Sequence, residues 1–381
     1  MTSTLDTSKV FSPFTLNNGV TIPNRLAVAP MTHFASNPDG TLSDEEQAFL
    51  TGRSQDFGLF ITAASLVHPS GKAFVGQPHA YDDSHLPSLT QTANIIKKGG
   101  AKAILQIHHG GYQSLPDLVG EVVAPSTTEH HGVTARELSE DEILELIASF
   151  GTATRLAIQA GFDGVEIHGA NNYLIQQFFS RQSNQRTDQW GGSLTNRLRF
   201  ILEVIKAVNH AKTTYGTPDF IIGYRFSPEE AGDDGLTMAD SFDLIDNLVK
   251  EPLQYLHISL WDFYKKARRG ADTSRTRIEQ IYERIGGRLP LIGVGCLLSA
   301  CDVVRALDTG FADFVAVGKA SMINPDFATL LKTGQFERIA TAIDPDNNAH
   351  YKIPSQLWAY QLKGLAYLPP LKGKEWQPLD I

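Results

Sequence analysis

The chain has 381 residues, 42% of them hydrophobic, with 33 lysines and arginines against 42 acidic residues and a formal net charge of -9. That length fits one large (β/α)8 barrel with additions or two ordinary domains, the apolar fraction supports a substantial core, and the negative charge argues against an extended nucleic-acid surface. The two cysteines, Cys296 and Cys301, are too few for a disulfide framework and lack the C-x-x-C spacing of a metal or redox pair, so they read as buried thiols of a reducing compartment.

The amino-terminal MTSTLDTSKVFSPF has no basic start followed by an apolar run, and no stretch approaches membrane-spanning length, which predicts a soluble, cytoplasmic protein. FTLNNGVTIPNR reads as strand, Asn18-Gly19 turn and strand, a hairpin placed as a lid over the amino-terminal mouth of a barrel. Eight apolar strand-like runs follow: LAVAP at Leu26, LFITAAS at Leu59, KAILQIH at Lys102, GVEIH at Gly164, FIIGYRFSP at Phe220, QYLHIS at Gln254, LPLIGVG at Leu289 and DFVAVG at Asp313. Eight runs alternating with amphipathic segments favour a parallel sheet with crossover helices, and the count is that of a (β/α)8 barrel. A doubly wound sheet would use the same alternation less economically. The clearest helix is LSEDEILELIASFGTATRLAIQAGF, where Ser139 and Glu142 form a capping box, Leu138 and Ile143 a hydrophobic staple, and Gly161 the stop. KKARRG at Lys265 reads as a short solvated patch. After Phe327 the strands stop, and the proline-rich end from Tyr367 reads as a surface tail anchored by Trp358 and Tyr360. The expected α/β architecture is a single (β/α)8 TIM barrel over residues 1–340, including the N-terminal β-hairpin lid, with a C-terminal extension over 341–381 packed on it.

Several residues carry chemistry. VEIH alternates like a strand and brings His168 to its carboxyl end, where barrels place their active sites, and GANNY is turn material. There His168 and Asn171, three positions apart, can point donors at one oxygen, while Tyr173 offers a phenolic proton nearby. In LQIHHGG, Gln106 and His108 share one strand face and Ile107 and His109 the other, so the adjacent histidines do not chelate a metal together. His130 and His131, in EHHG, have no spaced partner and read as surface-loop residues. GYRFSP turns Arg225 inward, an expensive place for a permanent cation unless an anion or an electron-rich ring meets it; a structural salt bridge is the competing reading. GVGCLL and AVGKASMINPDF end the last two strands in glycine-bearing turns, where barrels bind phosphate on bare backbone amides. No G-x-G-x-x-G dinucleotide fingerprint is present.

Residues 161–197, GFDGVEIHGANNYLIQQFFSRQSNQRTDQWGGSLTNR, resemble the Old Yellow Enzyme family of flavin-dependent oxidoreductases, whose pattern there is a strand, H-x-A-N/H-x-Y, L-x-x-Q-F, N-x-R-x-D-x-Y-G-G-S and N-R. Trp190 departs from it, standing where the family usually has Tyr or His. The likeness runs in family order from PNRLAVAPMT at Pro23 to MINPDF at Phe327. It implies non-covalent FMN, reduced by NADH or NADPH, and a small-molecule substrate with an activated alkene, an α,β-unsaturated carbonyl or nitro compound. The net charge and the lack of a spanning stretch predict no nucleic-acid or membrane partner, and the resemblance sets neither the oligomeric state nor the choice of nicotinamide. By the same resemblance, Thr32 contacts the flavin ring near O4 and N5, Ala29, Pro30 and Met31 give backbone contacts, and Ala64 lets the ring lie flat. Gln106 meets the pyrimidine edge, Arg225 lies beside N1 and O2, and Gly295, Cys296, Gly318 and Lys319 hold the phosphate. His168 and Asn171 hold the substrate oxygen and Tyr173 protonates carbon; His109 is supporting structure. Tyr112 and Lys319 stand where the family commonly has Arg. His33, Phe34, Trp261 and Phe263 are placed on the substrate side by loop position alone. A Schiff-base aldolase using Lys319 is the rival enzyme class, and it leaves His168, Asn171, Tyr173 and Arg225 without a joint purpose.

Overall fold

The eight apolar runs form eight parallel strands, and the computed structural model, which describes residues 5–377, closes them into a ring. They are β1 (Leu26–Val28), β2 (Leu59–Ile61), β3 (Lys102–His108), β4 (Gly164–Gly169), β5 (Ile221–Phe226), β6 (Tyr255–Ile258), β7 (Leu291–Val294) and β8 (Phe314–Val317). Each pairs with the next in sequence, and β8 returns to β1 with Val315 opposite Leu26, so the barrel itself has no open edge. The LFITAAS run is shorter as a strand than its composition suggests. It breaks after Ile61 and resumes as Ser65–Leu66 beside the end of β3.

The strands carry two apolar faces because both are covered. Inward, Ala27, Leu59, Ile104, Ile221, Ile292 and Phe314 fill the lower barrel together with Leu16 and Ile22 of the hairpin. That hairpin, Phe14–Thr15 against Thr21–Ile22, turns at Gly19 with φ +86, a conformation that favours glycine. Phe14 meets Phe314 edge-on at 5.0 Å, while Asn17 and Asn18 donate to the carbonyls of Leu253 and Pro218, which precede β6 and β5. The hairpin thus closes the amino-terminal mouth, as its sequence predicts. Outward, the strands meet helices such as Glu140–Gln159, which begins with the predicted Ser139–Glu142 capping box. Capping boxes at Thr237–Asp240 and Ser299–Asp302 start two further helices.

No helix among the described residues is long and apolar enough to cross a membrane. The cysteines are free, but Cys301 is exposed on the helix Ala300–Asp308 and Cys296 is only partly covered, which corrects the expectation of two buried thiols. In KKARRG, Lys266, Arg268 and Gly270 are exposed, in keeping with a surface patch, while the backbone amides of Arg268 and Arg269 donate to the buried carboxylate of Glu229.

Past Phe327 the described chain holds helices and no strand, and it returns to the barrel. Ile343, Leu357 and Leu371 enter the main core, and Tyr360 tilts against Phe34 at 5.1 Å. Arg53 pins this segment. Its guanidinium is buried with no carboxylate partner among the described residues, and it donates to the carbonyls of Phe49 (2.6 Å), Ser321 and Tyr351. Hydrogen bonds to a charged group are worth about 1.5–3 kcal/mol each, so Arg53→Met should cost at least about 3 kcal/mol in urea unfolding. It should also expose the segment after residue 340 to limited proteolysis. A cleavage pattern identical to the parent's would remove Arg53 as the pin.

Candidate active site

At the carboxyl ends of the strands a cavity of about 870 Å³ opens. The loop after β4 supplies its most reactive wall. Asn171 and Asn172 adopt φ of +58 and +59, left-handed values that asparagine tolerates better than most residues, and this tight turn brings Tyr173 to the cavity. Ser259 donates to Asn171 Oδ1 at 2.8 Å and Asn171 N–H donates to Ser227 at 2.9 Å, which leaves the side-chain Nδ2 as the donor of Asn171 not used in holding the turn. Gln177, from the L-x-x-Q-F stretch, donates to Asn172 O and Gly110 O and accepts from Tyr112 N, tying this loop to the one after β3. Gly111 makes room for it, since a Cβ there would lie 2.1 Å from Gln177 Oε1.

His168 is buried, and its Nδ1 accepts from Ala170 N at 3.3 Å, so the ring proton sits on Nε2. Burial, with further pressure from His108, Arg225 and His257, holds its pKa well below the ordinary value, so it is a neutral donor. Burial pushes the Tyr173 phenol up, which keeps it protonated. A third ring stands with them. His108 meets Tyr173 edge-on at 4.3 Å and lies 5.3 Å from His168. Gln77 Nε2, oriented because its Oε1 accepts from Ala73 N, donates to His108 Nδ1 at 3.0 Å.

Deeper in the barrel the inward side chains form polar layers. Gln106 on β3 faces Glu166 on β4, while Arg225 on β5 stands between His168 and His257 in register. Arg225 is 8% exposed, lines the cavity, and its buried Nε meets no acceptor among the described residues. A buried guanidinium at the floor of a cavity, its Nε without an acceptor among the described residues, is suited to an anionic or electron-rich ring.

The ends of β7 and β8 form the far wall. Gly295 has φ +141, and a Cβ there would sit 2.4 Å from Phe263 N; at Gly318 a Cβ would meet Met31 Sδ at 2.8 Å. Lys319 reaches between two indoles, its Nζ 5.2 Å from the Trp261 ring centroid and 5.5 Å from that of Trp376. Burial lowers its pKa, with Cys296 pulling the other way.

Of the residues singled out in the sequence, Ala29, Pro30, Met31, Thr32, Asn171, Tyr173, Arg225, Gly295, Cys296, Gly318 and Lys319 border this one cavity, as do Phe34 and Trp261. Ala64, Gln106 and His168 lie buried behind its wall. His33 and Phe263 do not border it. His33 Nε2 stands 3.1 Å from Glu46 Oε1, and Phe263 is fully buried beneath Gly293 and Gly295. His130 is the reverse case. It belongs to an antiparallel pair, Thr128–His130 with Val133–Glu137, that carries its ring to the cavity rim, 4.5 Å from Tyr112. Glu166, His257 and the surroundings of His108 join the site without a motif to announce them; in VEIH and YLHI the only sequence signal is a charged or polar residue on the inward face of an otherwise apolar strand. The NQRTDQWGG run proves to be a brace. Arg186 donates to Pro125 O and Leu138 O and pairs with Asp188 at 2.6 Å, while Asn184 donates to Phe178 O and Trp190 O.

A model of the NADH:flavin oxidoreductase / NADH oxidase family matches residues 9–337. Among curated relatives, the probable NADH-dependent flavin oxidoreductase YqiG of Bacillus subtilis (strain 168) is 47% identical over 363 residues, covering 94% of this chain and 97% of that protein. NADH:fumarate oxidoreductase of Klebsiella pneumoniae (strain 342) is 38% identical over 362 residues, which are 93% of this chain but 39% of the longer relative. Morphinone reductase superposes with a TM-score of 0.76 at 27% identity, covering 93% of this chain and 97% of its own.

The buried histidines have a cost in acid. Burial holds His108 at about 3 and keeps His109 and His168 well below their ordinary value. An unfolded histidine takes up a proton near pH 6.5, which these three refuse while folded, so stability falls as pH drops below about 6.5 by about 1.4 kcal/mol per pH unit for each. Urea unfolding should therefore show a loss of about 4 kcal/mol between about pH 6 and about pH 5, and His108→Gln should flatten that slope. A stability independent of pH in this window would show that the histidines are protonated in the fold.

Proposed function

Because the chain belongs to the NADH:flavin oxidoreductase / NADH oxidase family, and so is an NAD(P)H-dependent flavin oxidoreductase that uses FMN, we propose that it reduces the activated C=C bond of α,β-unsaturated carbonyl or nitro compounds, with Tyr173 as the proton donor. The observation that carries this reading is the end of β4 with the loop after it, which sets a neutral histidine donor behind the cavity wall and, on the cavity itself, an asparagine with a spare amide donor and a protonated phenol, above a buried guanidinium whose Nε meets no acceptor among the described residues.

When bound, FMN supplies the hydride step, from the nicotinamide to the β-carbon of the alkene. Arg225 would stand against its electron-rich pyrimidine edge with Gln106, and Thr32 and Ala64 would border the ring, with Ala29, Pro30 and Met31 offering backbone contacts. The loops of Gly295 and Cys296 and of Gly318 and Lys319 would take the phosphate. Both glycines border the cavity, and each is needed for its loop to pack, since a Cβ at Gly295 would collide with the Phe263 and Asp262 backbone and one at Gly318 with Met31. Lys319 brings charge without the two-pronged geometry of an arginine.

His168 Nε2–H and Asn171 Nδ2–H hold the carbonyl or nitro oxygen of the substrate. Negative charge gathers on that oxygen as the alkene is reduced, and fixed donors stabilise it without having to reorganise. Tyr173 delivers its proton to the α-carbon, and its raised pKa keeps that proton in place until the carbon becomes basic. The name of the Klebsiella relative pairs NADH with fumarate, itself an activated alkene, which supports the reaction class.

Tyr173→Phe separates the two halves of this reaction. Flavin reduction by the nicotinamide needs no proton from Tyr173 and should proceed at nearly the parental rate. Reoxidation by cyclohexenone should slow by about 100-fold to 10,000-fold, while oxygen or a quinone, which need no protonation of carbon, should still reoxidise the variant. Stopped-flow absorbance of both half-reactions measures this, and a variant that reduces cyclohexenone at the parental rate would remove Tyr173 as the donor.

A further inference from the structure

Glu166 lies in the middle of β4 with no exposed surface, two residues before His168, and nothing in the proposed reaction requires it. Its Oε1 accepts from Gln106 Nε2 at 2.8 Å, and its Oε2 accepts from Tyr255 Oη at 3.0 Å and His257 Nδ1 at 2.9 Å. Tyr255 reaches it across β5 because the register partner of Glu166 there is Gly223, where a Cβ would lie 2.0 Å from the tyrosine ring. Three donors satisfy the oxygens, yet a carboxylate so deep still calls for a positive charge. That charge stands one layer above, on Arg225, two residues along β5 from Gly223. Burial pushes the Glu166 carboxyl up, but His257, Arg225 and Gln106 outweigh it and hold the group below the ordinary range, so it is ionised at neutral pH.

We infer that Glu166 is a positioning residue that sets the reduction potential of bound FMN, by counterbalancing Arg225 and by holding the Gln106 amide through its nitrogen. The inference rests on the flavin-site reading given above. Alone, the guanidinium would strongly favour the negative charge that reduction places at the pyrimidine edge. A carboxylate one layer deeper subtracts from that field, in an interior where charges are weakly screened. Removing the carboxylate's charge therefore makes bound FMN easier to reduce.

The experiment is a measurement of the midpoint potential of bound FMN, by equilibration with reference dyes, in Glu166→Gln and Glu166→Asp, together with the FMN dissociation constant from titration of the apoprotein. Glu166→Gln should retain FMN and shift the potential positive, whereas Glu166→Asp, which keeps the charge, should stay close to the parent. FMN-bound Glu166→Gln at the parental or a lower potential, or an equal shift in both variants, overturns the inference. A parent protein that takes up no FMN is a different result, and it removes the flavin-site reading itself. If Glu166→Gln does not fold because Arg225 has lost its counter-charge, the double variant E166Q/R225M, which removes both charges, should fold. Failure of both to fold also overturns the inference, because Glu166 then serves the scaffold alone.

Discussion

A guanidinium fixed inside a closed β-barrel is the constraint around which the site is arranged. Arg225 cannot shed its proton, and the barrel interior gives it little water. Its neighbours answer that charge in layers. A carboxylate sits below it, gathered by a glutamine, a tyrosine and a histidine. Beside it the histidines are neutral, since a second positive charge would be repelled as well as desolvated. Above it is open cavity. Even a glycine follows from the same demand, because Gly223 is what lets Tyr255 cross to the carboxylate. The polarity of the floor is therefore a property of strand register, shared among β3, β4, β5 and β6, and belongs to no single residue.

What was legible in the sequence was local. The eight strands, the Asn18-Gly19 hairpin and the Ser139–Glu142 box are each written within a few residues, in alternation, turn chemistry or cap spacing, and each stands in the fold. The residues grouped by resemblance mostly border one cavity, because strand ends converge in a barrel wherever their alternation allows it. The rest depended on partners far away in the chain. Glu166 and Gln106 are sixty positions apart and meet only through the pairing of β3 with β4. His130 looked like a loop residue because TEH is too short to read as a strand, yet its partner Val133–Glu137 turns it toward Tyr112. His33 was placed on the substrate side by loop position, and nothing nearby in the chain announced that Glu46 would claim it.

The stretch that identified the chain most strongly divides into two jobs. Its first part, GVEIHGANNY, holds the groups proposed for chemistry. Its second part, NQRTDQWGG, spends its polar atoms on carbonyls of the surrounding loops and on itself. That brace anchors the segment that leads from Tyr173 back to the outer helix Leu194–Tyr215, so the reactive turn is held at both ends, by β4 before it and by the brace after it. A motif can thus be recognisable because it keeps a turn rigid, as well as because of what the turn carries.

The hairpin at the foot of the barrel has a consequence for traffic. With Leu16 and Ile22 plugging the lower end and apolar side chains filling the layers above them, the barrel is a cup with one rim. Whatever reaches the floor must pass that rim and leave by it. On the proposed reading, reductant and alkene would both reach the site over that one rim, between the loops that follow β4, β7 and β8.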